Sequence, residues 1–193
     1  MKKLFIIMLS LFIIIGTLSS TVMAETDFRG VSWGMSEEKV SSIEGTPDRT
    51  GEDYLDYLIK ISEVNLALRY HFIDDSLVKA SFINNENYMD NGQYYNDYKT
   101  LNNSLKQVHG EPNQEITNWE YDMFEAMYPE KMGFELGMVS FYTNWEKERT
   151  KINHILTNED ILKAAHGFIY ESLVPEHQEL MSDAEQEELE QQL

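Results

Sequence analysis

The sequence contains no cysteine, and proline occurs only four times in 193 residues. The absence of cysteine excludes disulfide bonds, a thiolate nucleophile, cysteine ligands to a metal and a lipid anchor carried by cysteine. Positive charge is also scarce. Because 15 Lys and Arg residues stand against 34 Asp and Glu residues, the formal net charge is −19 at pH 7.

This acidity limits the classes of partner. Binding to nucleic acid depends on Lys and Arg residues that neutralise phosphates, and the sequence contains no concentrated basic patch. We therefore expect no nucleic-acid partner, and an anionic membrane surface is disfavoured for the same reason. Basic proteins and divalent cations remain open as partners.

The chain has one long apolar run near its start, from Leu4 to Ile15, directly after two lysines. A membrane anchor is the alternative interpretation, but a spanning helix needs about 20 predominantly apolar residues. Small and polar residues follow as far as Ala24. A basic start, an apolar core and a small-residue exit are typical of a secretory signal peptide. We predict a signal peptide over residues 1–24, and after its cleavage a secreted or periplasmic protein without a stable membrane anchor.

Removal of residues 1–24 takes away two lysines and no acidic residue, so the mature charge becomes −21. A mature chain of about 169 residues is long enough to bury a core without disulfides. It fits one domain or two small ones.

The stretch "WGMSEEKVSSIEGTPDR" predicts a short helix. Ser36 is placed to cap it, and two glutamates follow where the helix dipole favours negative charge. Gly45 and Pro47 end the helix, and Val40 and Ile43 share one face. Because a helix of about eight residues has little stability by itself, we expect it to lie on a sheet.

Three runs of alternating apolar and polar residues follow, over residues 55–61, 66–72 and 78–82. Alternation with a period of two predicts strands with one solvent-facing side. The sequence Asp74-Asp75-Ser76 supplies a turn between the second and third runs. Residues 25–95 therefore predict a short helix packed on an antiparallel three-stranded meander.

A similar pattern returns in "YKTLNNSLKQVHGEP". A shift of 65 residues carries Val40 to Leu105, Gly45 to Gly110 and Pro47 to Pro112. Strand candidates then follow over residues 119–123, 139–145, 151–156 and 167–172. We predict the fold class α+β, with two repeats of a short helix packed on an antiparallel three-stranded meander. The second unit covers residues 96–174, and an acidic tail covers residues 175–193.

The first helix also carries a resemblance to a known family. "GMSEEKVSSIEGTP" resembles the signature of the SmpA/OmlA family of small envelope proteins, at Gly34, Met35, Ser36, Val40, Gly45, Thr46 and Pro47. The resemblance implies a helical start followed by an antiparallel three-stranded sheet, and a tandem of such units resembles the beta-lactamase inhibitor protein fold. It also implies a non-enzymatic module that binds proteins or envelope components. The start "DFRGVSWGMS" resembles that of many uncharacterised secreted bacterial proteins.

Motifs that support catalysis or cofactor binding are missing from the sequence. The five histidines show no metal-ligand spacing such as His-Glu-x-x-His. No Gly-x-Ser-x-Gly elbow and no Gly-rich phosphate loop occur. We therefore predict no catalytic residues, no cofactor and no metal site, and hence not an enzyme. The acid-rich loop "INNENYMDNGQ", residues 83–93, offers oxygen ligands for calcium, but without the EF-hand pattern we favour a solvated connection.

Aromatic and methionine residues supply the candidates for partner binding. A tyrosine cluster lies at the foot of the second helix, and an apolar insertion covers residues 124–137, where specificity can reside on a regular scaffold. One tryptophan stands beside "EKERT" at a strand end, where we expect partial exposure. Packing within the fold is the alternative role for all of them. The candidate partner-binding residues are Tyr94, Tyr95, Tyr128, Met132, Phe134 and Trp145.

These observations predict a non-catalytic, exported binding or scaffold module of the bacterial cell envelope or extracellular space. Its partner would be a protein or a cell-envelope component. The alternative is a proteinaceous inhibitor of a secreted enzyme, in which a concave sheet face covers the active site.

Overall fold

The computed structural model describes residues 26–160 and 163–191. The predicted signal peptide lies outside these residues. Five helices occur in the described part. They are α1 (Glu37–Glu44), α2 (Gly92–His109), α3 (Asp122–Met127), α4 (Glu130–Glu135) and α5 (Pro175–Gln191).

Within the described residues, eight strands form a single antiparallel sheet in the order β1-β2-β3-β4-β8-β7-β6-β5. The strands are β1 (Arg49–Thr50), β2 (Tyr54–Ile61), β3 (Val64–Ile73), β4 (Ser76–Asn84), β5 (Gln114–Trp119), β6 (Val139–Glu146), β7 (Thr150–Asp160) and β8 (Lys163–Ser172). Each half of the chain contributes four consecutive strands. The two halves meet where β4 pairs with β8.

The predicted fold class, two repeats of a helix on a three-stranded meander, is therefore wrong. All eight strands belong to one continuous sheet, and each half has a fourth strand, β1 or β5. The predicted strand over residues 119–123 is also wrong, because β5 ends at Trp119 and α3 begins at Asp122. Short-range alternation identifies individual strands but not the long-range pairing that joins them.

Close packing joins β4 to β8. Phe82 lies directly opposite Phe168, and their rings stack with centroids 4.4 Å apart. The next pair is Ile83 and Gly167. A Cβ atom at position 167 would lie 2.4 Å from the carbonyl oxygen of Phe82, so only glycine fits at this position.

The start of α1 follows the sequence prediction. Ser36 is confirmed as the N-cap, since its hydroxyl oxygen accepts a hydrogen bond from the backbone N–H of Lys39. Val40 is fully buried, as expected, and Gly45 ends the helix with a positive φ. The expectation that Ile43 shares the buried face is wrong, because its side chain is exposed.

One face of the sheet carries the core. On this side, α1 contacts β2, α2 contacts β7 and β8, and α4 contacts β6. A larger cluster contains Leu66, Leu68, Tyr70 and Phe82, and a smaller one contains Tyr98, Phe134 and Phe141. Within the described part of the chain, no helix is both long enough and apolar enough to cross a membrane.

Candidate functional site

The face of the sheet opposite the core carries apolar side chains in a continuous line. Seven outward-facing residues lie side by side on seven strands, each directly opposite the next in the strand pairing. In order across the sheet these residues, here called the apolar row, are Leu58, Ala67, Ile83, Gly167, Ile155, Tyr142 and Ile116.

The large aliphatic members of the apolar row are open to solvent. Leu58 is 63% exposed, Ile83 56%, Ile116 38% and Ile155 36%. Outward positions of a sheet with one wet face are normally polar, which keeps apolar side chains on the core side. A line of apolar side chains across this face is therefore unexplained by the packing of the described chain.

Polar residues flank the apolar row on one side. The next row of register partners contains six polar residues and one isoleucine: Asp56, Arg69, Ser81, Ile169, Asn153, Asn144 and Gln114. Arg69 donates two hydrogen bonds to the Asp56 carboxylate, at 2.7 and 2.8 Å, and its guanidinium lies 4.0 Å from the centre of the Tyr54 ring. This ordered polar border limits the apolar surface on that side.

A third row of register partners is charged. Lys79, Glu171, Lys151 and Glu146 follow one another across four strands, so positive and negative side chains alternate. His71 precedes Lys79 in the same row, and its ring nitrogen Nε2 lies 2.5 Å from the hydroxyl oxygen of Ser81. Burial, together with the positive charges of Lys79 and Arg69, lowers the pKa of His71 to about 4. The imidazole is therefore neutral at pH 7.

A depression of about 500 Å³ lies at the junction of β4 and β8. Ile83, Ile155, Gly167 and Asn153 contribute to its lining. The depression lies beside Gly167, where the paired stretch of β4 and β8 ends at the pair Ile83 and Gly167. The arrangement suits a protruding apolar group better than a charged one, since the outward side chains around it are mainly aliphatic.

The predicted partner-binding tyrosines have hydrogen-bond partners within the chain. Tyr94 is buried, and its hydroxyl donates to the backbone oxygen of Glu86 at 2.9 Å. Tyr95 is half-buried and donates to Glu130 at 2.7 Å, and its burial, together with this hydrogen bond, raises the pKa of the phenol. These two hydrogen bonds connect the start of α2 to the preceding loop and to α4.

Phe134 and Trp145 lie inside the core. Neither side chain is exposed, and the indole Nε1 of Trp145 donates to the backbone oxygen of Gly110 at 2.9 Å. The expectation that Trp145 is partly exposed is wrong, because the end of β6 is covered by the chain that follows α2. Neither residue can touch a partner while the fold is intact.

The insertion itself presents a smaller exposed apolar surface. Met132 is exposed on α4, and Tyr128 is half-buried between α3 and α4. Their exposed apolar neighbours are Met127 and Leu136 within the insertion and Tyr121 and Met123 directly before it. Tyr128 and Met132 thus lie at the surface of the insertion, whereas Phe134 of the same insertion is buried in one cluster with Tyr94.

A buried chain of hydrogen bonds joins two histidines under α2. Nε2 of His154 lies 3.1 Å from Nε2 of His166. Nδ1 of His154 lies 3.2 Å from Oδ1 of Asn102, and Nδ1 of His166 lies 3.2 Å from Nδ2 of Asn84. Asn84 also donates to Asp97, and Asn102 donates to Glu115, both at 2.9 Å.

These contacts fix the direction of every bond in the chain. An amide oxygen only accepts, so His154 carries its proton on Nδ1 and accepts at Nε2. His166 therefore donates from Nε2 and accepts at Nδ1 from Asn84. Burial lowers the pKa of His166 to about 3, and burial with the neighbouring His166 lowers the pKa of His154 well below its ordinary value. Both rings are neutral, and their polar atoms are satisfied without any ligand.

The two histidines consequently offer little for chemistry on a substrate, since the surrounding core shields them. Tyr98 stacks on the His154 ring with centroids 4.3 Å apart and closes the site from the helix side. In residues 26–160 and 163–191, no group of three or more His, Cys, Asp or Glu side chains is arranged to hold a metal ion.

The chain matches no protein-family model, no curated protein and no solved structure. The resemblance to the SmpA/OmlA family therefore stays a prediction from its motif. The residues of the apolar row were missed by sequence reasoning. Leu58 and Ile155 are aliphatic residues at predicted strand positions where the alternation calls for polar ones, whereas Ile83 and Ile116 lie outside the predicted strands.

Proposed function

We propose that this chain is an exported, non-catalytic protein-binding module whose contact surface is the apolar row with its polar border. The observation that carries the proposal is the alignment of seven apolar or side-chain-free residues on the open face of the sheet. Water is displaced from such a surface when another protein covers it, and that displacement is the main driving force of association.

The dimensions of the row favour a protein over a small molecule. Neighbouring strands lie about 4.8 Å apart, so seven strands span roughly 29 Å. A standard protein interface buries about 800 Å² on each partner, which corresponds to a patch of similar width. The composition also fits, because protein interfaces combine an apolar centre with a polar rim. The expected partner presents an apolar ridge or loop to the row.

Photo-crosslinking in the native host tests this proposal. A photo-reactive phenylalanine analogue at Ile155 is expected to give a covalent adduct with the partner. The same analogue at Asn103, an exposed position on α2, serves as the matched control and is expected to give none. Mass spectrometry of the adduct then identifies the partner.

The outcomes separate the alternatives. Recovery of an envelope or wall component supports a scaffold role, and recovery of a secreted hydrolase supports the inhibitor alternative. Equal yields at Ile155 and Asn103, or no adduct at Ile155 from a variant that melts like the parent, would contradict the proposal.

A further inference from the structure

We propose that the free edge of β5 binds an extended, basic segment of the partner protein as a ninth strand of the sheet. This inference rests on the proposed function, because the same partner would cover the apolar row.

The backbone groups that would form this ladder can be assigned from the pairing of β5 with β6. The N–H of Glu120 donates to the carbonyl oxygen of Met138 at 2.9 Å, next to the register pair Trp119 and Val139. In an antiparallel pair, hydrogen-bonded and non-bonded residue pairs alternate. The N–H and C=O groups of Glu115, Thr117 and Trp119 therefore point away from β6, towards the free edge.

The two edges of the sheet differ in their protection. The opposite edge ends in β1, a strand of two residues, and the Asp48 carboxylate accepts the N–H of Leu58 at 2.7 Å. Strand β5 has six residues, five of them exposed, and contains no proline, lysine or register shift. In natural proteins, a short edge strand, a proline, a lysine or a bulge usually prevents the edge of a sheet from pairing with another chain. Among the described residues, no strand pairs with the free side of β5.

Charge identifies the kind of segment that fits. Residues 107–130 contain six acidic side chains and no Lys or Arg. Glu115 has a cationic partner in Lys106 at 2.7 Å, and Glu130 has one in Lys99 at 3.6 Å. The remaining four are Glu111, Glu120, Asp122 and Glu125. A segment carrying Lys or Arg is attracted to this edge, whereas the edge of a second copy is repelled.

The edge is continuous with the apolar row. Ile116 lies on β5 and forms the last member of the row. A strand added beside β5 would place alternate side chains next to Ile116 on the open face. One partner can thus contact the row and extend the sheet in a single interface, as in strand addition by peptide-binding domains.

The test uses the full chain in its native host, with the photo-reactive analogue at Gln114, the exposed first residue of β5. Thr117→Pro removes the free N–H of residue 117 and places a ring at the edge, while the bonds to β6 stay intact. Thr117→Ala is the matched control, because it removes the side chain and keeps the N–H. We expect Thr117→Pro to lower the adduct yield at least tenfold and Thr117→Ala to leave it unchanged.

A second pair of variants keeps the backbone intact in case Thr117→Pro fails to fold. Thr117→Lys places a positive charge at the edge and is expected to lower the yield, whereas Thr117→Glu should preserve or raise it. Equal yields from these two variants would overturn the assignment of a basic segment.

The outcomes also distinguish this inference from the proposed function. Adducts at Ile155 together with none at Gln114, or with a Gln114 yield unaffected by Thr117→Pro, overturn the strand-addition inference and leave the row as an interface. Loss of adducts at both positions overturns the proposed function as well. An adduct between two copies of this chain would show that a second copy, and not a basic partner segment, occupies the edge.

Discussion

His154 and His166 face each other across β7 and β8 with their Nε2 atoms 3.1 Å apart, and a single proton lies between them. The chain of hydrogen bonds continues on both sides to Asn102 and Asn84. Each ring nitrogen in this series of hydrogen bonds already donates or accepts one bond. An additional proton on either ring would therefore place two N–H donors opposite each other.

The first prediction is that acid destabilises the fold. The pKa of His166 is about 3 in the fold and about 6.5 in an unfolded chain, so below pH 6.5 the unfolded chain binds more protons. Stability is then lost by up to about 1.4 kcal/mol per pH unit for this histidine, and the loss ends near pH 3. The titratable groups nearest the pair are Tyr98, Asp97 and Glu115. Urea unfolding at pH 7 and pH 5 measures the effect.

The variant His166→Gln tests whether the loss of stability in acid arises from His166. It removes one titrating group and should reduce the difference in unfolding free energy between pH 7 and pH 5 by about 2 kcal/mol. His177→Gln, at a half-buried position with a pKa lowered less strongly by burial, is the control and should reduce the difference less. Equal reductions by the two variants would contradict the prediction.

A second prediction concerns the hydrogen bonds at pH 7.5. His166→Phe leaves Nε2 of His154 and one N–H of Asn84 without a partner, and each unpaired buried group costs about 1 to 3 kcal/mol. His166→Gln retains a donor for His154 and should recover part of the loss. Thermal melts compare the two variants. A phenylalanine variant as stable as the parent would show that the chain of bonds contributes nothing.

The third prediction is that Gly167→Ala weakens the junction of the two halves. The added Cβ would lie 2.4 Å from the Phe82 carbonyl oxygen, so β4 and β8 must separate. Overpacking of this kind costs about 1 to 3 kcal/mol. Ala165→Ser, two residues earlier on the same face, should change stability by less than about 0.5 kcal/mol. Chemical denaturation checks both values, and similar losses for the two would refute the steric argument.

The fourth prediction concerns α1. Val40 is fully buried, so Val40→Asp places a carboxylate in an apolar contact and should cost several kcal/mol, roughly 2 to 7. Glu38→Gln, at an exposed position of the same helix, should lose only about 0.3 to 1 kcal/mol through the helix dipole. If Val40→Asp melts like the parent but abolishes adducts at Ile155, the helix serves binding and not packing.

The fifth prediction concerns the apolar row in the isolated protein. The double variant Leu58→Thr and Ile83→Thr should bind less of a fluorescent hydrophobic dye, because both side chains are largely exposed. Its stability should stay within about 0.5 kcal/mol of the parent. Val108→Thr changes an exposed valine outside the row and is the control. Unchanged dye binding in the double variant would show that the row is not an accessible apolar surface.

The candidate site was only partly predictable from the sequence. Tyr94 and Tyr95 were identified from their clustering, but their hydroxyl groups bond to Glu86 and Glu130. Ile83 and Ile155 are 72 positions apart in the chain, and only their common neighbour Gly167 places them in one row. Register between distant strands depends on side-chain packing over the whole sheet, which periodicity within one strand does not contain.

The sequence by itself determined the local elements. Ser36 caps α1 and Gly45 ends it, and alternation marks β2, β3 and β4, because these features depend on neighbours only a few residues away. The tertiary structure decided which elements meet. Pairing of β4 with β8 makes one sheet, brings Asn84 to His166 and completes the apolar row, since close packing of Phe82 against Phe168 selects one register between distant segments.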